Sequence, residues 1–398
     1  MTHRERVLAA LRFAPVDRVP WVPRMDLWYD ANRRRGTLPG RWRDATLTDI
    51  IDDIGIGLHT MIPDFLDTED PEDAFDRVLG LDHVKNQPFT IDLGKTRRTI
   101  ERSGDETRVI YHTPSGVLTG TVLYTDQMRR DGVSLMQVTE RVVKSVEDYE
   151  KVATLFEGIH IEPDETAFRQ WERQIGQRGP LVAFANVAAS PMHHLLKELV
   201  PYDRFYYDLH DTPGVVEQAA GRMSVYFDKL REVCALSSAD MVHFGANYDV
   251  SLTPPRLFEE HLLPELSRWS EEMVRHGKLL ATHTDGENDG LCELLVRGGV
   301  HVADSVCPAP MTRLSLRDYR EQFAGKIAIW GGLCSLSVLP QSFTDEQFVK
   351  HVDEALQAVA GGRGIVFSVA DTLPPDADID RVRYIGERVE SLKPATHE

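Results

Sequence analysis

The sequence predicts an α/β fold: a (β/α)8 TIM barrel with a β-hairpin insertion between its second and third strands. Three observations predict it. Eight short apolar runs recur along the chain, most of them continuously hydrophobic, as parallel strands covered on both faces require. Helical stretches with recognisable ends separate most of these runs. One region, residues 85–145, breaks the rhythm with polar–apolar alternation punctuated by Gly and Pro.

In order, the runs are RVPWVPRMD, IGIGLHTMIPD, PLVAFAN, DMVHFGAN, KLLATHTDG, VHVADSVCP, KIAIWGGLC and GIVFSVAD. Thr253 and Pro254 form an N-cap and first-turn pair for the helix through RLFEEHLLPELSRWSEEMVRH, and Gly277 supplies its stop. Pro264 inside that stretch should kink or split the helix. Thr344 with Gln347 makes a capping box before FVKHVDEALQAVA. No linker divides the chain, so residues 1–398 are read as a single domain, with 85–145 as the β-rich insertion.

The totals narrow the function. Against 45 basic residues stand 63 acidic ones, a net charge of −18. A surface this negative repels phosphate backbones and anionic lipid, which argues against nucleic-acid and membrane partners. Four cysteines do not make a disulfide framework. The N-terminus is a charged amphipathic helix rather than a signal peptide, so a cytoplasmic protein is expected.

In a barrel, chemistry collects where strands end. Polar pairs two residues apart stand there: Arg24/Asp26, Asn247/Asp249 and His283/Asp285. In extended backbone that spacing puts both side chains on one face. His283 and Asp285 are competent metal ligands, and Cys334 could complete a mixed site suited to zinc. Asp249, Cys307 or water are open as a fourth ligand. Read blandly, His283 and Asp285 hydrogen-bond substrate and Cys334 is a small buried hydrophobe. Arg24 could clamp a substrate carboxylate or pair with Asp26. Asp64, Asp249 and Asp371 are acid/base candidates. Asn186 and Asn247 are candidate substrate-binding groups. Of His193 and His194, about 100° apart on a helix, at most one faces the site. Tyr206 and Tyr207 are either lid or packing residues.

On these residues the chain resembles the uroporphyrinogen decarboxylase superfamily. RERVLAALRFAPVDRVPW is similar to that family's first helix and strand, and HTDG, GGVHVADSV, GKIAIWGGL and GRGIVFSVAD to its later strands, in the right order. The superfamily contains the haem-pathway decarboxylase and zinc-dependent methyltransferases that exchange methyl groups with corrinoid or thiol carriers. The decarboxylase's residues transfer poorly. Arg24 matches its first arginine, but Trp28 stands at the second; Asp64 corresponds to its catalytic aspartate; its late histidine falls at Asp371. In the methyltransferases' metal pattern His283 and Cys334 match, with Asp285 in place of the middle cysteine. The resemblance thus implies a metal-dependent methyltransferase-like enzyme for a small methylated or aromatic substrate. A corrinoid protein would be its partner, and the chain a homodimer. A cofactor-free decarboxylase of a small acid and a non-catalytic ligand-binding barrel remain as alternatives.

Overall fold

Six of the eight apolar runs form one parallel sheet in the computed structural model, which describes residues 1–61, 76–81, 86–133, 135–359 and 361–392. The strands, in chain order, are β1 (Phe89–Asp92), β2 (Arg97–Ser103), β3 (Glu106–Thr113), β4 (Gly116–Leu123), β5 (Gln137–Glu140), β6 (His160–Pro163), β7 (Val182–Asn186), β8 (Met241–Phe244), β9 (Leu279–His283), β10 (Val302–Val306), β11 (Ala328–Leu333) and β12 (Ile365–Val369). Strands β7 to β12 pair in sequence order, each parallel to the next. That order needs a crossover after every strand, and helices such as Pro213–Leu236, Leu263–Arg275 and Asp345–Ala358 supply them.

The first two apolar runs are extended rather than regular strands. Phe367 N–H donates to Pro20 O (2.9 Å), and Val22 N–H donates to Phe367 O (3.0 Å), which seats the first run beside β12. Gly57 N–H donates to Trp21 O (3.2 Å), and Leu58 N–H donates to Arg178 O (3.0 Å). The second run therefore touches both the first and the approach to β7. Within the segment read as an insertion, β2, β3, β4 and β5 form a four-stranded antiparallel sheet. The β2–β3 turn at Gly104–Asp105 places glycine at φ +62°, where a side chain would be strained.

Local signals mostly behave as the sequence predicts. Thr344 Oγ1 accepts from Gln347 N–H (3.2 Å) while Thr344 N–H donates to Gln347 Oε1 (2.9 Å). Pro264 does split its helix: a π-turn at Phe258–Leu262 precedes Leu263–Arg275, and the proline sits in the first turn, where its missing N–H costs nothing. The N-terminal pair is shifted by one residue, with Pro254 as N-cap and Pro255 in the first turn. Among the described residues no helix is long and apolar enough to cross a membrane.

Two apolar layers result. One lies between the sheet and its helices, where Phe244 stacks on Trp269 with centroids 3.9 Å apart. The other is lined by Val22, Met61, Val182, Met241, Ala281, Val302, Trp330 and Val366, one from nearly every strand or extended run. Val7, Ala10 and Leu11 of the N-terminal helix His3–Leu11 pack against it at one end.

Phe244→Ala should cost about 3–5 kcal/mol in urea unfolding, because both stacked rings are fully buried. A cost under about 1 kcal/mol would contradict that packing. The buried histidines set an acid limit. Burial holds His193 at about 3 and His194 at about 4, against 6.5 when unfolded. Their contribution to stability is complete above pH 6.5 and is lost as pH falls toward 4, because the unfolded chain then binds protons that the folded chain refuses. The urea midpoint should fall between pH 7 and pH 5, and fall less in His194→Gln; equal falls would refute the assignment.

Candidate functional site

The inner apolar layer ends in a polar one, and a period of two connects them. Two residues beyond Val22 comes Arg24; beyond Met241, His243; beyond Ala281, His283; beyond Val302, Asp304. Alternation along a strand returns each of these side chains to the face of its apolar predecessor. Arg24, His243 and His283 meet at a cleft of about 330 Å³, with Asp304 behind His283; Asp26, Asn247, Asp285 and Asp371 also line it, with Val133, Leu135, Phe184 and Val187 as an apolar wall.

His283 is the hub. Its Nδ1 lies 2.8 Å from Asp304 Oδ2, and its Nε2 faces Asp285 Oδ1 at 3.6 Å and Asp371 Oδ1 at 3.7 Å. Burial alone would lower its pKa, but Asp285 and then Asp304 outweigh burial and raise it to about 10. Asp304 is fully enclosed. Burial would raise its carboxyl, yet the hydrogen bonds from His283 and His59 hold it well below the usual carboxylate range.

The other polar groups are mutually braced. Arg24 grips Asp26 with two prongs, Nε to Oδ1 and Nη2 to Oδ2, both 2.9 Å, and reaches Asp371 Oδ1 through Nη1 at 3.1 Å. Asp371 has φ +56°, and its N–H donates to Ser305 Oγ at 2.5 Å. Ser305 occupies a β-bulge in β10, with φ +63°. The bulge presses on β11, where a Cβ on Gly331 would lie 2.7 Å from Val306 N. Only glycine fits there.

The structure thus brings together Arg24, Asp26, Asn247, His283, Asp285 and Asp371. Three candidates stand elsewhere. Asn186 is buried, with Oδ1 accepting from Ala188 N–H (2.7 Å) and Nδ2 donating to Tyr226 Oη (3.3 Å); its amide holds the end of β7 rather than facing the cleft. The Asp249 carboxylate accepts from the N–H groups of Ser251 (2.9 Å) and Glu287 (3.2 Å), so it shapes a loop. Cys334 does not join His283 and Asp285. It is sealed after β11, with its own N–H donating to His351 Nε2 (3.3 Å) and its thiol pKa pushed up by burial. Asp64 lies outside the described residues. Neither His193 nor His194 lines the cleft: one accepts from Ala189 N–H, the other lies 2.7 Å from Leu79 O. Tyr207 is exposed, and Tyr206 Oη donates to Leu252 O.

Sequence reasoning missed His243 and Asp304. His243 stacks on Phe184 (5.0 Å, 13°), and neither ring nitrogen has a hydrogen-bond partner among the described residues. A polar residue two places beyond an inward-facing apolar one was the available signal.

Among the described residues, two groups place nitrogen and oxygen atoms close enough to share a cation: His283, Asp285 and Asp371, and His243, His283 and Asp304. The first fits better. Its contacts of 3.6 and 3.7 Å approach the about 3.4 Å separation of ligands around a four-coordinate ion with bonds near 2.1 Å. It also has the outer support that metal-binding histidines show, a carboxylate on the other ring nitrogen. One imidazole and two carboxylates suit a divalent ion of intermediate hardness.

Among solved structures, a methyltransferase from Methanosarcina mazei shares the fold, with 14% identity, 98% of each chain covered and a TM-score of 0.52. A 3-dehydroquinate dehydratase from Geobacillus kaustophilus aligns over 62% of this chain and 76% of its own, at 14% identity and a TM-score of 0.27, too low to carry an argument. No curated protein matches the sequence. The family model for uroporphyrinogen decarboxylase (URO-D) matches residues 127–392. That match takes in all six parallel strands and the residues of the candidate site from His243 to Asp371, and the chain belongs to the uroporphyrinogen decarboxylase (URO-D) family.

Proposed function

We propose that this chain is a metal-dependent methyltransferase-type enzyme acting on a small methylated or aromatic substrate, with a corrinoid protein as methyl acceptor. In this reading β7–β12 and the two extended runs are the eight staves of a (β/α)8 barrel, and β2–β5 are its insertion. The observation that carries the proposal is the setting of His283, backed by Asp304 at 2.8 Å and facing two further carboxylates. His283, Asp285 and Asp371 would hold the ion, with zinc the first candidate. Bound there, it would supply Lewis-acid activation of a methyl donor's leaving atom or of an acceptor.

The chain's own groups do the rest. Asp304 keeps the Nδ1 proton of His283 in place, which leaves Nε2 directed at the cleft. Arg24 fixes Asp371 and Asp26 by charge-assisted hydrogen bonds. Phe184, Val187 and Leu135 offer an apolar surface on which a methylated or aromatic group can displace water. His243 presents an uncharged imidazole beside that surface, since burial lowers its pKa to about 3. A decarboxylase reading asks Arg24 to clamp a substrate carboxylate. Its fork already holds two aspartates, which disfavours that alternative.

Elemental analysis of protein purified from zinc-supplemented medium should find stoichiometric metal, lost in His283→Ala. Asp304→Asn, which leaves the ion's ligands intact, should weaken affinity by roughly 10–100-fold. Wild-type protein that takes up no divalent ion would end the proposal.

A further inference from the structure

Lys197 belongs to none of the groups discussed so far, and it does not line the cleft. It sits on a π-turn, Leu195–Leu199, that follows the short helix Pro191–His194. An extra residue in a helical turn rotates the following side chains off their regular faces, and such turns concentrate at functional places. Here the rotation sends an ammonium group across the ends of two neighbouring strands. Lys197 Nζ donates to Val187 O (3.3 Å), just past β7, and to Ala246 O (3.3 Å), just past β8. It also donates to Asn247 Oδ1 at 2.9 Å. All three partners are oxygen acceptors, which suits a group that can only donate.

The third contact has a chemical consequence. A side-chain amide can be turned either way unless its neighbours decide the matter. Lys197 can only donate, so the Asn247 oxygen must face it, and the Asn247 nitrogen must then face the other way. There it finds Asp285 Oδ1 at 2.5 Å, the same oxygen that lies 3.6 Å from His283 Nε2. Asn247 is held for this task in a left-handed backbone conformation, φ +55°, with its N–H donating to His283 O at 3.1 Å. Side chains adopt that conformation at a cost, and it persists where surroundings enforce it.

We infer that Lys197 is a positioning residue for the candidate site: through Asn247 it fixes the Asp285 oxygen that faces His283. The inference rests on the metal reading for its consequence, but not for its geometry. Without the ammonium group the Asn247 amide loses the anchor on its oxygen, and the hydrogen bond that places Asp285 Oδ1 is held from one end only. Lys197→Met keeps the aliphatic stem and removes every donor.

The test is a cobalt(II) titration of the full chain, followed by visible absorption, in wild type, Lys197→Met, Lys197→Arg and Asn247→Ala. Lys197→Met and Asn247→Ala should bind cobalt roughly 10–100-fold more weakly, as loss of an outer hydrogen bond to a metal ligand does. Lys197→Arg should recover part of the loss, and its thermal midpoint should stay close to that of wild type, whereas Asn247→Ala also bears the cost of alanine at positive φ. Cobalt affinity in Lys197→Met within about twofold of wild type overturns the inference while leaving the metal reading intact. If Lys197→Met fails to fold, Asn247→Ala carries the same comparison. If wild type binds no cobalt, the metal reading fails, and crystal structures of wild type and Lys197→Met decide: Asp285 displaced by about 1 Å or more supports the inference, and an unmoved Asp285 refutes it.

Discussion

A carboxylate enclosed at the centre of the strands governs the organisation of the site. Asp304 is 1% exposed, and an ionised group so placed is tolerated only with partners that repay its lost hydration. His283 and His59 are those partners. In meeting the need of Asp304, His283 loses its freedom to rotate, and its outer nitrogen is directed at Asp285 and Asp371. The next constraint follows at once. Two aspartates that converge on one nitrogen repel each other, and each is steadied from behind, Asp371 by Arg24 and Ser305 Oγ, Asp285 by Asn247. The cleft is a chain of groups each of which makes its neighbour's position affordable.

Charge sets what such a cleft can accept. Four acidic side chains line it, Asp26, Asp30, Asp285 and Asp371, against Arg24 and His283. Arg24 is largely spent on Asp26, so little positive potential is left over for an anionic ligand. The site shares the sign of the whole chain, whose net charge is −18. A divalent ion answers that surplus directly, and neutral or apolar substrates fit the remaining wall better than acids do.

Much of this was legible in the sequence. Continuous apolar runs gave β7 to β12 because strands buried on both faces need no polar alternation. The same continuity hid His243 and Asp304: inside MVHF and VADSV a polar residue reads as an interruption, although its spacing from Met241 and Val302 places it inward. Arg24, His283, Asp285 and Asp371 were found because they lie at strand ends. Asn186 and Asp249 occupy equivalent places in the chain, but their short side chains satisfy local N–H groups first, a competition that spacing does not reveal. Cys334 was chosen as a thiol just past a strand end, and its burial after β11, with its N–H on His351, leaves no mark in the amino-acid pattern. The first run was legible as an extended segment, and it lies beside β12 although Pro20 and Pro23 interrupt its ladder hydrogen bonds.

The N-terminal helix deserves a last consequence. Val7, Ala10 and Leu11 close the apolar layer from below, and Gly364 N–H donates to Ala10 O at 2.9 Å to hold the helix there. Among the described residues that end of the layer is therefore filled with hydrocarbon, and the polar groups at Arg24 and His283 are met from the cleft at the far ends of the strands.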